Sequence, residues 1–432
     1  MSSPNTPPPL LPIPGFSAST PDIPIHIFDG GLGTSLGASP YNLQFTSTKT
    51  PLWSSHLLTT PALRKNYLLD LHKRFIEAGA DVIGTATYQG SFEGFGLTRK
   101  EDGKPGEEGE FFTRDEAKEC MRCGIEVVRE AFEKAEVGRK AGSDEQRLGI
   151  TALSLGPLGA TLIPGAEYSG LYPDEMTGKD KLRDWHLERL KVFFDEGEVG
   201  SRNGMEEKKS LVLGRPDIVI AFETLPRRDE IEGVRAAMGI LGLGVKKRRD
   251  GSGEALLSLP PFWISCVFPR EDERLPDGST VEELVEAIMG CPSPIQPLPS
   301  GIGINCTKLY KLRSLILSLE SSITTLSPNT AQPLFHLVLY PDGAPNHIYD
   351  TITQTWVPKP TTANDKSDQQ TKSWAEMLEE IVNEVVHREK ERRKDGKGIW
   401  RGILVGGCCM VSVDGIEELR ERVLRDGAKY CR

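Results

Sequence analysis

Eight short apolar runs recur along the chain, at Ile25–Gly31, Asp81–Tyr88, Leu148–Gly156, Asp217–Pro226, Phe262–Pro269, Gly301–Thr307, Leu334–Pro341 and Gly402–Cys409. They alternate with charge-rich stretches whose apolar residues fall three or four apart: Ala62–Ala78, Asp115–Ala135, Leu182–Glu196, Glu230–Leu241, Val281–Met289, Leu309–Leu319, Trp374–Arg392 and Gly415–Arg425. That spacing gathers apolar side chains on one helical face, so the stretches are predicted helices and the runs predicted strands. The fourth run reads Ile218-Val-Ile-Ala-Phe222, apolar at every position. Such a strand is buried on both faces, as in a parallel sheet covered by crossover helices. Eight strand–helix units predict an α/β fold, a single (β/α)8 barrel; an open doubly wound sheet is the alternative and usually has fewer units. In a barrel, functional residues lie at the C-terminal ends of the strands.

Four polar inserts interrupt the pattern, at Arg99–Glu110, Gly197–Ser210, Val245–Glu254 and Pro358–Lys372, and read as surface loops. Residues 1–22 are rich in Pro and Ser, with neither Lys nor Arg, and read as a disordered tail before one barrel domain at 23–432. No apolar stretch of about 18 residues exists to span a membrane. The net charge of −10, without a basic stripe, argues against nucleic acid as a partner. Small molecules are the expected partners, and the oligomeric state stays open. The 44 Gly and 31 Pro imply long loops, while 8 Cys scattered over 432 residues do not form a disulfide framework. A reducing cytoplasm is the expected location.

Three of those cysteines share a setting. Cys408 and Cys409 end the last apolar run behind Gly406 and Gly407, and Cys306 closes the run Gly303-Ile-Asn-Cys306. Adjacent side chains of a regular strand point to opposite faces, so Cys408 and Cys409 converge only where the strand ends or bulges. Glycine tolerates the backbone angles such an ending demands. Any one of these thiols alone would be a small buried hydrophobe. Together, three thiols at predicted strand ends form a candidate zinc site with an open fourth position, the catalytic rather than the structural arrangement.

Other residues carry less. Cys120 and Cys123 form C-x-x-C inside an acidic helical stretch, with no turn to bend them onto a metal. Gly30-Gly-Leu-Gly-Thr-Ser-Leu-Gly37 fails the dinucleotide pattern because position 36 is Leu, and reads instead as a flexible turn over the barrel mouth. Asp29 and Glu223 both sit at predicted strand ends, as solvated loop acids or as partners for a substrate ammonium group.

An ordered set of motifs, Asp29-Gly-Gly-Leu-Gly-Thr34, Leu52-Trp53-Ser54, Ala78-Gly-Ala-Asp81, Thr87-Tyr-Gln89, Ser154-Leu-Gly-Pro157, Gly165-Ala-Glu-Tyr168, Glu223-Thr-Leu-Pro226, Gly303-Ile-Asn-Cys306, Tyr340-Pro341 and Gly406-Gly-Cys-Cys409, resembles the homocysteine S-methyltransferases. The resemblance runs from about Ile25 to Leu424. It implies a (β/α)8 barrel with Zn2+ on Cys306, Cys408 and Cys409 and the homocysteine sulfur as fourth ligand. It further implies that Asp29 and Glu223 bind the homocysteine amino group, with Thr87, Tyr88, Gln89, Ser154 and Asn305 lining the pocket. The implied reaction moves a methyl group from S-methylmethionine or S-adenosylmethionine to homocysteine, giving methionine; betaine as donor, or a zinc-binding regulatory barrel without methyl transfer, are the alternatives. This chain departs from the family in having Met410 where Arg is usual, Ala86 in place of Asn, and Asp342 in place of Asn.

Overall fold

The computed structural model describes residues 13, 23–46, 50–100, 109–136, 149–194, 210–247, 259–290, 296–326, 335–344, 347–350, 355–358 and 372–427. Eight strands form one parallel sheet: β1 (Ile25–Ile27), β2 (Val82–Gly84), β3 (Ile150–Leu155), β4 (Ile218–Leu225), β5 (Phe262–Cys266), β6 (Gly301–Lys308), β7 (Phe335–Asp342) and β8 (Trp400–Val405). Their order is β1, β8, β7, β6, β5, β4, β3, β2, and a parallel bridge from Phe28 to Val82 brings the two edges together. The expected barrel is therefore present. At its seam a side chain replaces part of the ladder, since Asp81 Oδ2 accepts the Ile27 N–H at 2.9 Å and is held by Arg420 at 2.7 Å.

A helix follows each strand: α1 (Leu69–Glu77), α2 (Arg114–Glu136), α3 (Lys179–Phe194), α4 (Arg228–Lys247), α5 (Val281–Met289), α6 (Leu312–Leu326), α7 (Trp374–Lys394) and α8 (Val413–Gly427). Local sequence starts several of them. Thr280 and Glu283 cap α5 reciprocally, Oγ1 accepting the Glu283 N–H at 3.2 Å and Oε2 the Thr280 N–H at 2.8 Å. One buried apolar layer, including Leu153, Phe193, Ile220, Ile264, Ile304, Leu315 and Val385, seals strands against helices.

A second, smaller core fills the barrel itself, from Phe28, Val82, Ile150, Ala152, Val219, Ala221, Trp263, Val338, Tyr340 and Leu404. These positions step by two along their strands, as inward-facing residues must. Gly301 belongs to the same inward set on β6. A Cβ there would lie 3.0 Å from Val338 Cγ2 and 3.1 Å from Trp263 Cβ, so glycine lets the neighbouring strands pack closely against β6. The next inward steps toward the C-terminal mouth are Ser154, Glu223, Asn305 and Tyr340, and polarity begins there.

One expectation changes and two features were not foreseen. Leu32–Gly37 is a short helix, not a flexible turn. An antiparallel hairpin of His347–Asp350 and Thr355–Pro358 follows β7 and had no expected counterpart. Of the segment 1–22 only Ile13 is described, and it is fully buried in the inner core with its N–H toward His336 Nε2 at 3.3 Å. The rest of that segment and most of the four polar inserts lie outside the described residues.

Candidate active site

The C-terminal mouth of the barrel opens into one cavity of about 960 Å³, counted with its opening. Asp29, Tyr88, Gln89, Ser154, Glu223, Asn305, Cys306, Cys408 and Cys409 all line it. The three sulfur atoms lie within 4.8 Å of one another, and those of Cys408 and Cys409 are 4.0 Å apart. Cys306 and Cys408 are joined as a disulfide across Cα atoms 5.6 Å apart, while Cys409 is free.

Backbone hydrogen bonds fix the cysteine loop. Gly406 N–H donates to Leu339 O, Gly407 N–H to Asp29 O and Cys408 N–H to Pro341 O, at 2.9, 2.9 and 3.0 Å. The loop is thereby pinned between the ends of β1 and β7. The two glycines before it serve close approach rather than unusual backbone angles, for neither has positive φ. A Cβ on Gly406 would lie 2.6 Å from Phe28 O, and one on Gly407 2.4 Å from Val411. Gly31 does the same from β1's side, because a Cβ there would meet Cys408 O at 2.5 Å. The left-handed angles around the cavity fall instead on Trp53 (φ 50°), Thr224 (φ 60°), Cys306 (φ 47°) and Met410 (φ 64°). Non-glycine residues held there store on the order of 1–3 kcal/mol each, strain that typically gathers at functional sites.

Asn305 organises the first thiol. Wholly buried, its Nδ2 donates to Cys306 Sγ at 3.3 Å and to Thr224 Oγ1 at 2.7 Å, while its Oδ1 accepts the Thr224 N–H at 2.9 Å. One amide therefore ties the ends of β4 and β6 together and places a donor on the sulfur. Tyr168 hydrogen-bonds Cys409, whose thiol burial pushes up to about 12, with Asp342 and Glu167 adding to the rise. A half-buried thiol set among acids in this way does not ionise unaided at neutral pH.

The cavity is rich in carboxylates. Asp29 is 4% exposed and accepts the Gly84 N–H at 2.9 Å; burial, opposed by that bond and reinforced by the charge of Glu223, holds its pKa well above the ordinary range. Glu223 is raised to about 7, chiefly by burial, against hydrogen bonds from Ser154 and Tyr340. Burial also raises Glu167 to about 7. Acids packed this way favour a cationic guest, which restores the charge that burial suppresses.

Thr87 was expected to line the pocket but does not. Its hydroxyl donates to Ser154 O at 2.6 Å and meets Thr85 Oγ1 at 2.6 Å, while its methyl lies against the space left by Gly124 on α2. It braces the wall from behind. Conversely Trp53, Glu167, Tyr168, Thr224 and Tyr340 line the cavity without having been given a role. Alternation by two along β7 from Val338 would have found Tyr340. Of the three departures, Ala86 lines the cavity, Met410 is 48% exposed beside it, and Asp342 is buried in an ion pair with Lys308 at 3.1 Å. Cys120 and Cys123 lie on α2 and Cys266 is buried on β5, all outside the cavity lining.

The donor set suits zinc. A Zn–S bond of about 2.3 Å at a tetrahedral centre sets ligand sulfurs roughly 3.8 Å apart. The separation of 4.0 Å between Cys408 and Cys409 matches that, and Cys306 completes three thiolates once its bond to Cys408 is reduced.

Comparison with known proteins supplies the family. Residues 26–423 match the family model described as homocysteine S-methyltransferase. Among curated proteins, the chain is 27% identical over 387 residues to homocysteine S-methyltransferase 4 of Zea mays, covering 89% of this chain and 85% of that one. It is 25% identical to homocysteine S-methyltransferase 2 of Arabidopsis thaliana, covering 92% of each chain. It is also 25% identical to selenocysteine Se-methyltransferase of Brassica oleracea var. italica, covering 92% and 88%. The crystal structure of the homocysteine methyltransferase MmuM from Escherichia coli, metallated form, shares the fold with TM-score 0.53 and 22% identity, covering 92% of this chain and 96% of that one. With the family model covering nearly the whole chain, this protein belongs to the homocysteine S-methyltransferase family of methyltransferases.

Proposed function

We propose that this chain methylates L-homocysteine to methionine at a zinc site formed by Cys306, Cys408 and Cys409, with a sulfonium compound, S-methylmethionine or S-adenosylmethionine, as donor. The convergence of three thiols within 4.8 Å at the mouth of the barrel is the observation that carries it. Bound there, zinc would keep the substrate sulfur as thiolate at neutral pH, where a free thiol of pKa about 8.5 is mostly protonated.

The chain's own residues do the rest. Asp29 and Glu223 face each other electrostatically and take the homocysteine ammonium between them. Ser154 and Tyr340 hold the Glu223 carboxylate, and Asn305 steadies Cys306. Tyr88 and Gln89 wall the cavity beside them, with Gln89 Nε2 fixed on Ala160 O at 3.3 Å. Transfer is a direct displacement: the thiolate electron pair forms the new S–CH3 bond, and the pair of the breaking bond stays on the donor sulfur. No general base is required at the moment of transfer.

Free thiols at this site require a reducing compartment, which supports a cytoplasmic location, and no described helix is long and apolar enough to cross a membrane. We read residues 23–432 as one barrel domain. The test is methionine formation from homocysteine with S-methylmethionine, S-adenosylmethionine or betaine, using reduced protein with and without zinc. Turnover with a sulfonium donor, lost on chelation and in Cys306→Ala and Cys409→Ala, is expected. Full activity without metal contradicts the proposal, and zinc bound without turnover of any donor leaves a regulatory barrel.

A further inference from the structure

Glu167 lies on the excursion between β3 and α3, apart from the strand ends that carry Asp29 and Glu223. It lines the same cavity and is 8% exposed, yet its Oε2 has no hydrogen-bond partner among the described residues. Gly165 keeps the space beside that oxygen clear, because a Cβ there would stand 2.7 Å from it. Burial raises its pKa and its own backbone N–H opposes the rise; among the described residues no cationic side chain acts on it. A buried polar atom without a partner is costly, and one in a substrate cavity is open to pairing with a ligand. Glu167 is electrostatically coupled to Tyr88, Tyr168 and Cys409, so the ligand it awaits sits beside the sulfur centre.

The homocysteine ammonium already has two acids, Asp29 and Glu223. A third carboxylate therefore fits the second substrate, and the reaction decides which part of it. As the methyl group moves, its bond to the donor sulfur breaks, its bond to homocysteine sulfur forms, and the sulfonium charge disappears. A carboxylate against that sulfonium would stabilise reactants more than the transition state and slow transfer. An ammonium elsewhere on the donor keeps its charge throughout, so pairing with it costs nothing in the chemical step.

We infer that Glu167 is a specificity-determining residue whose carboxylate binds the α-ammonium group of an amino-acid sulfonium donor, selecting such donors over methyl donors that lack an amino group. The inference rests on the methyl-transfer reading above.

The test compares S-methylmethionine with its deaminated analogue, (3-carboxypropyl)dimethylsulfonium, in wild-type and Glu167→Gln zinc-loaded protein at saturating homocysteine. In the wild type the analogue should show a KM about 10- to 100-fold higher, the range of a hydrogen bond to a charged group. Glu167→Gln should raise the KM for S-methylmethionine by a similar factor with kcat unchanged. The analogue's KM, the homocysteine KM and the zinc content should stay as in the wild type. A donor preference that survives in Glu167→Gln overturns the inference while leaving methyl transfer standing. Equal KM values for the two donors in the wild type overturn it even if the variant does not fold. Absence of methionine from every sulfonium donor in the wild type overturns both readings.

Discussion

Replacing Glu167 by Gln should stabilise the empty protein at alkaline pH while weakening its function. The side chain is 8% exposed, and burial lifts its pKa from 4.5 to about 7. The folded state therefore binds the proton more tightly than the unfolded chain does. The stability this contributes is complete below pH 4.5 and is lost as pH rises through 7. At about 1.36 kcal/mol per pH unit, the gap between 4.5 and about 7 comes to roughly 3 kcal/mol at pH 8. Glutamine has nearly the same shape and no charge to bury, so Glu167→Gln escapes the loss. Urea unfolding of metal-free protein at pH 5 and pH 8 measures it. The variant should gain roughly 3 kcal/mol over wild type at pH 8 and only about 1 kcal/mol at pH 5, where the unfolded chain's carboxyl is already mostly ionised. Equal gains at both values, or a loss at pH 8, would refute burial as the cause.

Other positions give separate expectations. Asn305→Leu removes the donor on Cys306 and the acceptor of the Thr224 N–H, and should lower zinc affinity about 10- to 100-fold in a chelator competition. Gly31→Ala sets a Cβ 2.5 Å from Cys408 O; it should cost about 1–3 kcal/mol in urea unfolding and reduce zinc per chain. Arg189 donates to the carbonyls of Gly156, Thr87 and Tyr88 at 2.8, 2.6 and 2.6 Å, so Arg189→Met should destabilise by about 2–4 kcal/mol and raise substrate KM values by loosening the Tyr88 wall.

The barrel was legible because its cause is local. Each strand is an apolar run and each helix an amphipathic one, and most observed boundaries fall within about four residues of the expected ones; Val281–Met289 coincides, whereas α1 begins at Leu69 rather than Ala62, α4 runs on to Lys247 rather than Leu241 and α6 to Leu326 rather than Leu319. The three thiols were legible because an ordered set of motifs fixed their place. What failed depended on contacts between distant residues. Thr87 looks like a pocket residue in sequence, but its hydroxyl finds the carbonyl of Ser154, 67 positions away. Gly406 and Gly407 suggested unusual backbone angles, whereas Phe28 O and Val411 demand the missing side chains. The left-handed residues are Cys306 and Met410 themselves, types that give no sign of it in sequence. Glu167 sits in a recognised motif, but only the folded chain shows one of its carboxylate oxygens buried without a hydrogen-bond partner among the described residues. Ile13 has no pattern around it, and its burial is set by the space beside His336 near the start of β7.

The central claim is that Cys306, Cys408 and Cys409 hold a zinc ion whose remaining position receives the homocysteine sulfur. Zinc-edge X-ray absorption on the reduced, loaded protein counts the sulfur ligands directly. Three sulfurs per zinc in the free protein and four after L-homocysteine is added are predicted. A count that does not rise with homocysteine, or that starts at four, would contradict the account.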